Sequence, residues 1–205
     1  MLSGLRNNVR PIGRWIAQPF VRANISPNAI TLAAIPLSTA AAFCTTQDFF
    51  TAALVLAVPS VLLDFLDGAV ARASNKVSAF GNHLEAVVDR YVEGALLVGL
   101  SVHFPVLATS CLTLSMLVSY IKARVGLVIS SDNSDWPGVG DRADRMVLLC
   151  LAMLFQARGS IWACQFTLVT LLLLAAVGCV QRILHSKTLI AKAEQEGQLI
   201  DQGGA

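Results

Sequence analysis

The chain has 205 residues, 55% of them hydrophobic and only 14% charged, with a net charge of +2 and a mean hydropathy of +0.65. Soluble domains are about a quarter charged, so this composition excludes an ordinary soluble domain, and the small net charge argues against a nucleic-acid binder. What remains is an all-α, polytopic membrane protein, read as one domain over 1–205.

The N-terminal MLSGLRNNVRPIGRW carries arginines before any apolar core, so no cleavable signal peptide is expected. Leu5, Val9, Ile12, Trp15, Ile16, Phe20 and Val21 alternate with Arg6, Arg10, Arg14 and Arg22. That pattern predicts an amphipathic helix lying in the headgroup region, within a juxtamembrane segment over 1–24, which Pro11 and Pro19 interrupt or use to start turns. A bilayer core of ~30 Å takes about 20 mostly apolar residues per helix. Six segments qualify, at 27–45, 51–72, 79–103, 105–129, 143–157 and 160–184. The fifth is short and is expected to reach toward Asp141. A six-helix bundle over 25–186 and a cytoplasmic tail over 187–205 complete the division.

Six crossings sort the basic residues by side. Arg6, Arg10, Arg14, Arg22, Arg72, Lys76, Arg90, Lys122, Arg124, Arg142, Arg145, Arg182, Lys187 and Lys192 fall on one face, and Arg158 alone on the other. The positive-inside rule makes the first face cytoplasmic, with both termini there. An integral protein of a prokaryotic inner membrane is the expected location. The five cysteines (Cys44, Cys111, Cys150, Cys164 and Cys179) are scattered through apolar runs without a C-x-x-C pair, which suits small core residues better than disulfides or zinc ligands.

The second and third segments carry the chemistry. Asp64 and Asp67 lie about 60° apart on one helix, and Glu85 and Asp89 about 40° apart on the next. Sequential, antiparallel helices can oppose these faces near the cytoplasmic boundary. Each carboxylate costs about 2.5–3.5 kcal/mol at a membrane helix centre and less near its ends, so four cost on the order of 10 kcal/mol at worst. Arg72 and Arg90 could offset two of them as ion pairs. Without such pairing the acids repel one another unless a cation sits between them. An all-oxygen set suits a hard divalent ion, and two ions sharing it would form a phosphate clamp. Gly68 directly after Asp67, and Gly81 one turn before Glu85, leave room for a ligand against the backbone.

Residues 64–89 read D-F-L-D-G-A-V-A-R, eight residues, then G-N-H-L-E-A-V-V-D. This resembles the signature of the CDP-alcohol phosphotransferase (CDP-alcohol phosphatidyltransferase) family, D-x2-D-G-x2-A-R-x8-G-x3-D-x3-D. Asp64, Asp67, Gly68, Ala71, Arg72, Gly81 and Asp89 match at the family spacing, and Glu85 replaces its third aspartate. The ISPNAIT opening of the first span is also common in such enzymes. The resemblance implies transfer of a phosphatidyl-type group from a CDP-linked lipid to an alcohol, with release of CMP. It implies two Mg²⁺ or Mn²⁺ ions held by Asp64, Asp67, Glu85 and Asp89. Asp64, Asp67, Gly68, Ala71, Arg72 and Gly81 would bind CDP, and Asp89 would be the general base. It further implies a homodimer among membrane lipids.

Lys122, Arg124, Arg142, Arg145 and Arg182 are expected to gather at the cytoplasmic ends of spans four to six. Such a pocket suits an acceptor that carries phosphate. The S-Y-x-K-A-R and D-R-x-x-D-R stretches resemble the phosphatidylinositol phosphate and archaetidylinositol phosphate synthase branch, although that branch commonly has glutamates where Asp141 and Asp144 stand. Inositol 1-phosphate is therefore the expected acceptor and glycerol 3-phosphate, giving phosphatidylglycerophosphate, the alternative. A non-catalytic CDP-lipid-binding relative and a cation transporter are the readings from other classes. Transport is disfavoured because the charge lies on one side and no repeat is visible.

Overall fold

The computed structural model of the chain describes residues 6–130 and 136–200, with the side chains of residues 6–12 and 14 outside the description. The described residues form seven helices: α1 Arg6–Arg22, α2 Pro27–Thr46, α3 Phe50–Ala73, α4 Ala79–Ser101, α5 Pro105–Val125, α6 Arg142–Ala157 and α7 Ile161–Gln195. An isolated antiparallel bridge between Ile129 and Leu199 is the one β pairing among them.

Local chemistry sets the helix ends. Pro27 and Pro105 open α2 and α5, where a missing N–H costs nothing. Ser78 caps α4 by accepting from the Gly81 amide at 3.0 Å. The first three helices stop at Asn24, Asp48 and Asn75, each with positive φ. Asn and Asp tolerate this left-handed geometry. In each case the following amide turns back to the last turn: Ile25 to Phe20, Phe49 to Cys44 and Lys76 to Ala71.

Four helices (α2, α3, α5 and α7) are long and apolar enough to cross a membrane. The expected third and fifth spans differ from these for physical reasons. α4 carries Glu85, Asp89, Arg90 and Glu93, and α6 has only 16 residues. Large apolar side chains cover the outside, among them Phe43, Val55, Leu62, Val106, Trp162, Phe166 and Leu173. This outward apolar face suits lipid, and the chain is an integral membrane protein of the helical kind.

Two expectations change. α1 runs through Pro11 and Pro19 without a break, although each proline removes a backbone donor. Its burial against the bundle compensates, because Ala17 packs with Ile30, Ala69 and Val70, and Gly13 lies against Phe65. α7 continues past the expected end at 184 to Gln195. Leu189, Ile190 and Ala193 of that extension pack on Val125, Ile129 and Trp136, so a segment expected as tail belongs to the fold.

Small residues let the first helices approach closely. Ala34, Ser38, Ala41, Ala53, Ala57 and Ser60 are all buried among α2, α3 and their neighbours. α2 packs on both α3 and α4, α5 on α7, and α6 mainly on α7 and α3. The chain entering α6 lies tightly against α7. Gly140 has φ +68°, and a Cβ there would stand 2.6 Å from the Leu174 carbonyl oxygen. Gly140→Ala is expected to cost at least about 2 kcal/mol, combining left-handed strain with a backbone clash. Gly159→Ala, also at positive φ but with nothing within 4 Å, should cost only about 1 kcal/mol. Thermal unfolding in detergent, followed by tryptophan fluorescence, measures both.

Candidate functional site

α3 and α4 bring three carboxylates together. Asp64, Asp67 and Glu85 each offer an oxygen within 4.8 Å of the others. Helical spacing puts Asp64 and Asp67 on one face of α3, and α2 closes over the pair from the side. Thr31 of α2 donates to Asp67 Oδ2 at 2.5 Å, and the Gly68 amide donates to Oδ1 at 2.5 Å. Asp67 is thus buried with both oxygens oriented. Thr31 was not singled out among the sequence candidates. Its signal was the ISPNAIT opening, which also supplies Asn28, close to Gly81.

Asp64 is half-buried. Its Oδ2 accepts from Arg142 Nη1, while its Oδ1 is buried with no hydrogen-bond partner among the described residues. An orphaned carboxylate oxygen next to two further carboxylates is costly without a counter-charge. These oxygen donors therefore fit a hard divalent cation. Glu85 belongs to the trio despite its extra methylene.

Asp89 lies outside the trio and faces α6. Its Oδ1 is 2.8 Å from Arg142 Nη2, and its Oδ2 is 3.5 Å from Arg90 Nη1. Arg142 therefore bridges Asp64 on α3 and Asp89 on α4. The Nε and Nη2 atoms of Arg142 are buried without a hydrogen-bond partner among the described residues. Nη1 and Nη2 are engaged in the two ion pairs, so Nε is the Arg142 nitrogen outside them.

The other expected cations have separate surroundings. Arg145 is fully buried, its Nε and Nη2 donating to Glu93 at 2.6 and 2.9 Å and its Nη1 to the Gly140 carbonyl at 2.6 Å. Arg182 donates to the Val118 carbonyl at 2.9 Å and to Asp141 Oδ1 at 2.7 Å, leaving Nε unpartnered among the described residues. That pairing draws the Asp141 side chain away from capping α6. Lys122 and Arg124 are exposed at the C-terminal end of α5. Arg72 is exposed, with its guanidinium folded over Gly68. The five expected acceptor residues thus do not form one open pocket: Arg145 is committed to Glu93, whereas Arg142 stands at the carboxylates.

Residues 24–179 match the sequence profile of the CDP-alcohol phosphatidyltransferase family. The chain is similar to the archaetidylinositol phosphate synthase of Pyrococcus horikoshii, at 33% identity over 161 residues covering 77% of this chain and 84% of that protein. It is similar to the phosphatidylinositol phosphate synthase of Mycobacteroides abscessus, at 28% identity over 199 residues covering 90% and 88%. The fold is similar to that of Mycobacterium tuberculosis phosphatidylinositol phosphate synthase with CDP-DAG bound, with TM-score 0.68, 26% identity and coverage of 86% and 93%. A crystal structure of that enzyme in complex with manganese and citrate gives TM-score 0.68 at 25% identity, covering 85% and 88%.

Proposed function

The chain belongs to the CDP-alcohol phosphatidyltransferase family, and from that premise we propose that it makes a phosphatidylinositol phosphate-type lipid. A phosphatidyl-type group passes from CDP-diacylglycerol, or an ether analogue, to a hydroxyl of inositol 1-phosphate, and CMP leaves. The observation that carries this reading is Arg142, which places a guanidinium between the acids of α3 and α4 and keeps its buried Nε outside both ion pairs.

Asp64, Asp67 and Glu85 would hold divalent metal, Mg²⁺ or Mn²⁺, which supplies charge neutralisation of the pyrophosphate and of departing CMP when bound. Gly68, Ala71 and Gly81 present little bulk, so CDP can lie against the backbone, and Arg72 answers its phosphate charge. Asp89 takes the proton from the attacking hydroxyl as the new phosphorus–oxygen bond forms and the bond to CMP breaks. The family pattern counts Asp89 among the metal ligands too, and its contact with Arg142 supports the base role.

The acceptor phosphate would meet Arg142, with the exposed Lys122 and Arg124 drawing it in from the end of α5 and the buried Arg182 fixing Asp141 at the start of α6. Arginine suits this task because its planar donors match phosphate oxygens. Arg145, spent on Glu93 and Gly140, supports the pocket from beneath. The basic asymmetry supports six crossings, α4 and α6 included, with α1 at the cytoplasmic headgroups and both termini in the cytoplasm. Buried charge on α4 is tolerable in a crossing because it faces the bundle. The same reading takes the chain as a single domain, homodimeric, in a prokaryotic inner membrane.

The test is CMP release from CDP-diacylglycerol with inositol 1-phosphate, glycerol 3-phosphate, free inositol or serine. Inositol 1-phosphate should give the highest kcat/KM. Preference for glycerol 3-phosphate would reassign the acceptor, and preference for free inositol or serine would remove the phosphate pocket. Arg142→Ala or Lys122→Ala should raise the acceptor KM about 10–100-fold, the loss of one charged hydrogen bond, with the KM for CDP-diacylglycerol little changed. An unchanged acceptor KM in both variants would refute this assignment.

A further inference from the structure

Glu93 and Arg145 form a buried pair that the reaction does not touch. Glu93 is 1% exposed and Arg145 2%. Their two-pronged contact joins α4 to α6, and the remaining Arg145 nitrogen reaches the Gly140 carbonyl at 2.6 Å. Glu93 follows Asp89 by four residues on α4, and Arg145 follows Arg142 by three on α6. At about 100° per residue, each pair shares one helix face. The contacts Asp89–Arg142 and Glu93–Arg145 are thus successive rungs between the same two helices.

We infer that Glu93 is a positioning residue which, through Arg145, sets the rotation and height of α6 so that Arg142 lands between Asp64 and Asp89. This rests on the acceptor-binding reading of Arg142. Three observations support it. First, α6 packs mainly on α7 and α3 and only lightly on α4, so apolar packing alone defines its register against α4 weakly. Second, a buried ion pair adds little net stability over well-packed apolar residues, whereas it is highly directional. Third, Arg145 also holds Gly140, the residue that leads into α6. One side chain thus ties α4, the approach to α6 and α6 itself together, a single turn below Arg142.

A double-mutant cycle in the full-length protein tests the inference, with Glu93→Gln and Arg142→Ala alone and combined. Two quantities are read: the acceptor KM, and the Mn²⁺ dissociation constant from the EPR signal of the free ion. Glu93→Gln should raise the acceptor KM about tenfold while the CDP-diacylglycerol KM stays within about twofold. It should also shift the Mn²⁺ dissociation constant. In the Arg142→Ala background the same change should move neither quantity, because residues acting through one another are not additive. Additive effects on both readouts would overturn the inference, as would a Glu93→Gln protein with native values for both. If Arg142→Ala leaves the acceptor KM unchanged, the acceptor reading fails and the Mn²⁺ cycle alone decides. Should Glu93→Gln not fold, Arg145→Lys takes its place, keeping the charge while losing the two-pronged contact. Failure of both to fold would also overturn the inference, because the pair would then hold the bundle itself.

Discussion

Asp67→Asn is expected to lower CMP release by about 10³-fold or more, while the protein remains folded. Asp67 is the most buried member of the carboxylate trio, and both its oxygens are aimed by Thr31 and Gly68. A metal ion at such a site contributes several kcal/mol of charge stabilisation to the transfer, and about 4 kcal/mol corresponds to the stated factor. Asparagine keeps the shape but replaces a charged ligand oxygen with an amide. The same change relieves repulsion among Asp64, Asp67 and Glu85, so the Tm of the metal-free protein should stay level or rise. Thr31→Val should weaken Mn²⁺ binding about 10–100-fold, the usual effect of losing a group that orients a ligand. EPR titration with Mn²⁺ measures both variants. Native Mn²⁺ affinity in Asp67→Asn would remove the trio as the metal site.

Asp89→Asn is expected to reduce kcat about 10²–10⁴-fold, the usual contribution of a positioned general base. An amide cannot accept the hydroxyl proton, yet it can still face Arg142 and Arg90, so both substrate KM values should change little. The split separates Asp89 from Asp67. Loss at Asp67 should follow loss of metal, whereas Asp89→Asn should bind Mn²⁺ within a few-fold of the parent protein and still turn over slowly. Wild-type kcat in Asp89→Asn would take the base role from it. A Mn²⁺ affinity lost as completely as in Asp67→Asn would make Asp89 a ligand first.

Much of the site was legible because it is local. Asp64 and Asp67 occupy one helix, Glu85 the next, and a five-residue turn joins them, so helical periodicity and chain connectivity suffice to oppose their faces. The helix ends were legible for the same reason: Pro27 and Pro105 favour helix starts, and Asn or Asp accepts the left-handed turn at Asn24, Asp48 and Asn75. Composition likewise determined a helical membrane protein, since backbone polar groups in lipid must be satisfied within each segment.

Only the tertiary structure decided how distant cations are used. Arg142, Arg145 and Arg182 look alike in sequence, yet one joins Asp64 and Asp89, one is buried on Glu93, and one holds Asp141. Each partner lies on another helix or at another helix's start, so the outcome depends on helix rotation and height. Those are set by contacts such as Gly99 against Ala42 and Gly140 against Leu174, which no periodicity reveals. Thr31 over Asp67 and the packed extension of α7 to Gln195 belong to the same class. A helix's own sequence determines which residues share a face; the packing of the other helices determines what that face meets.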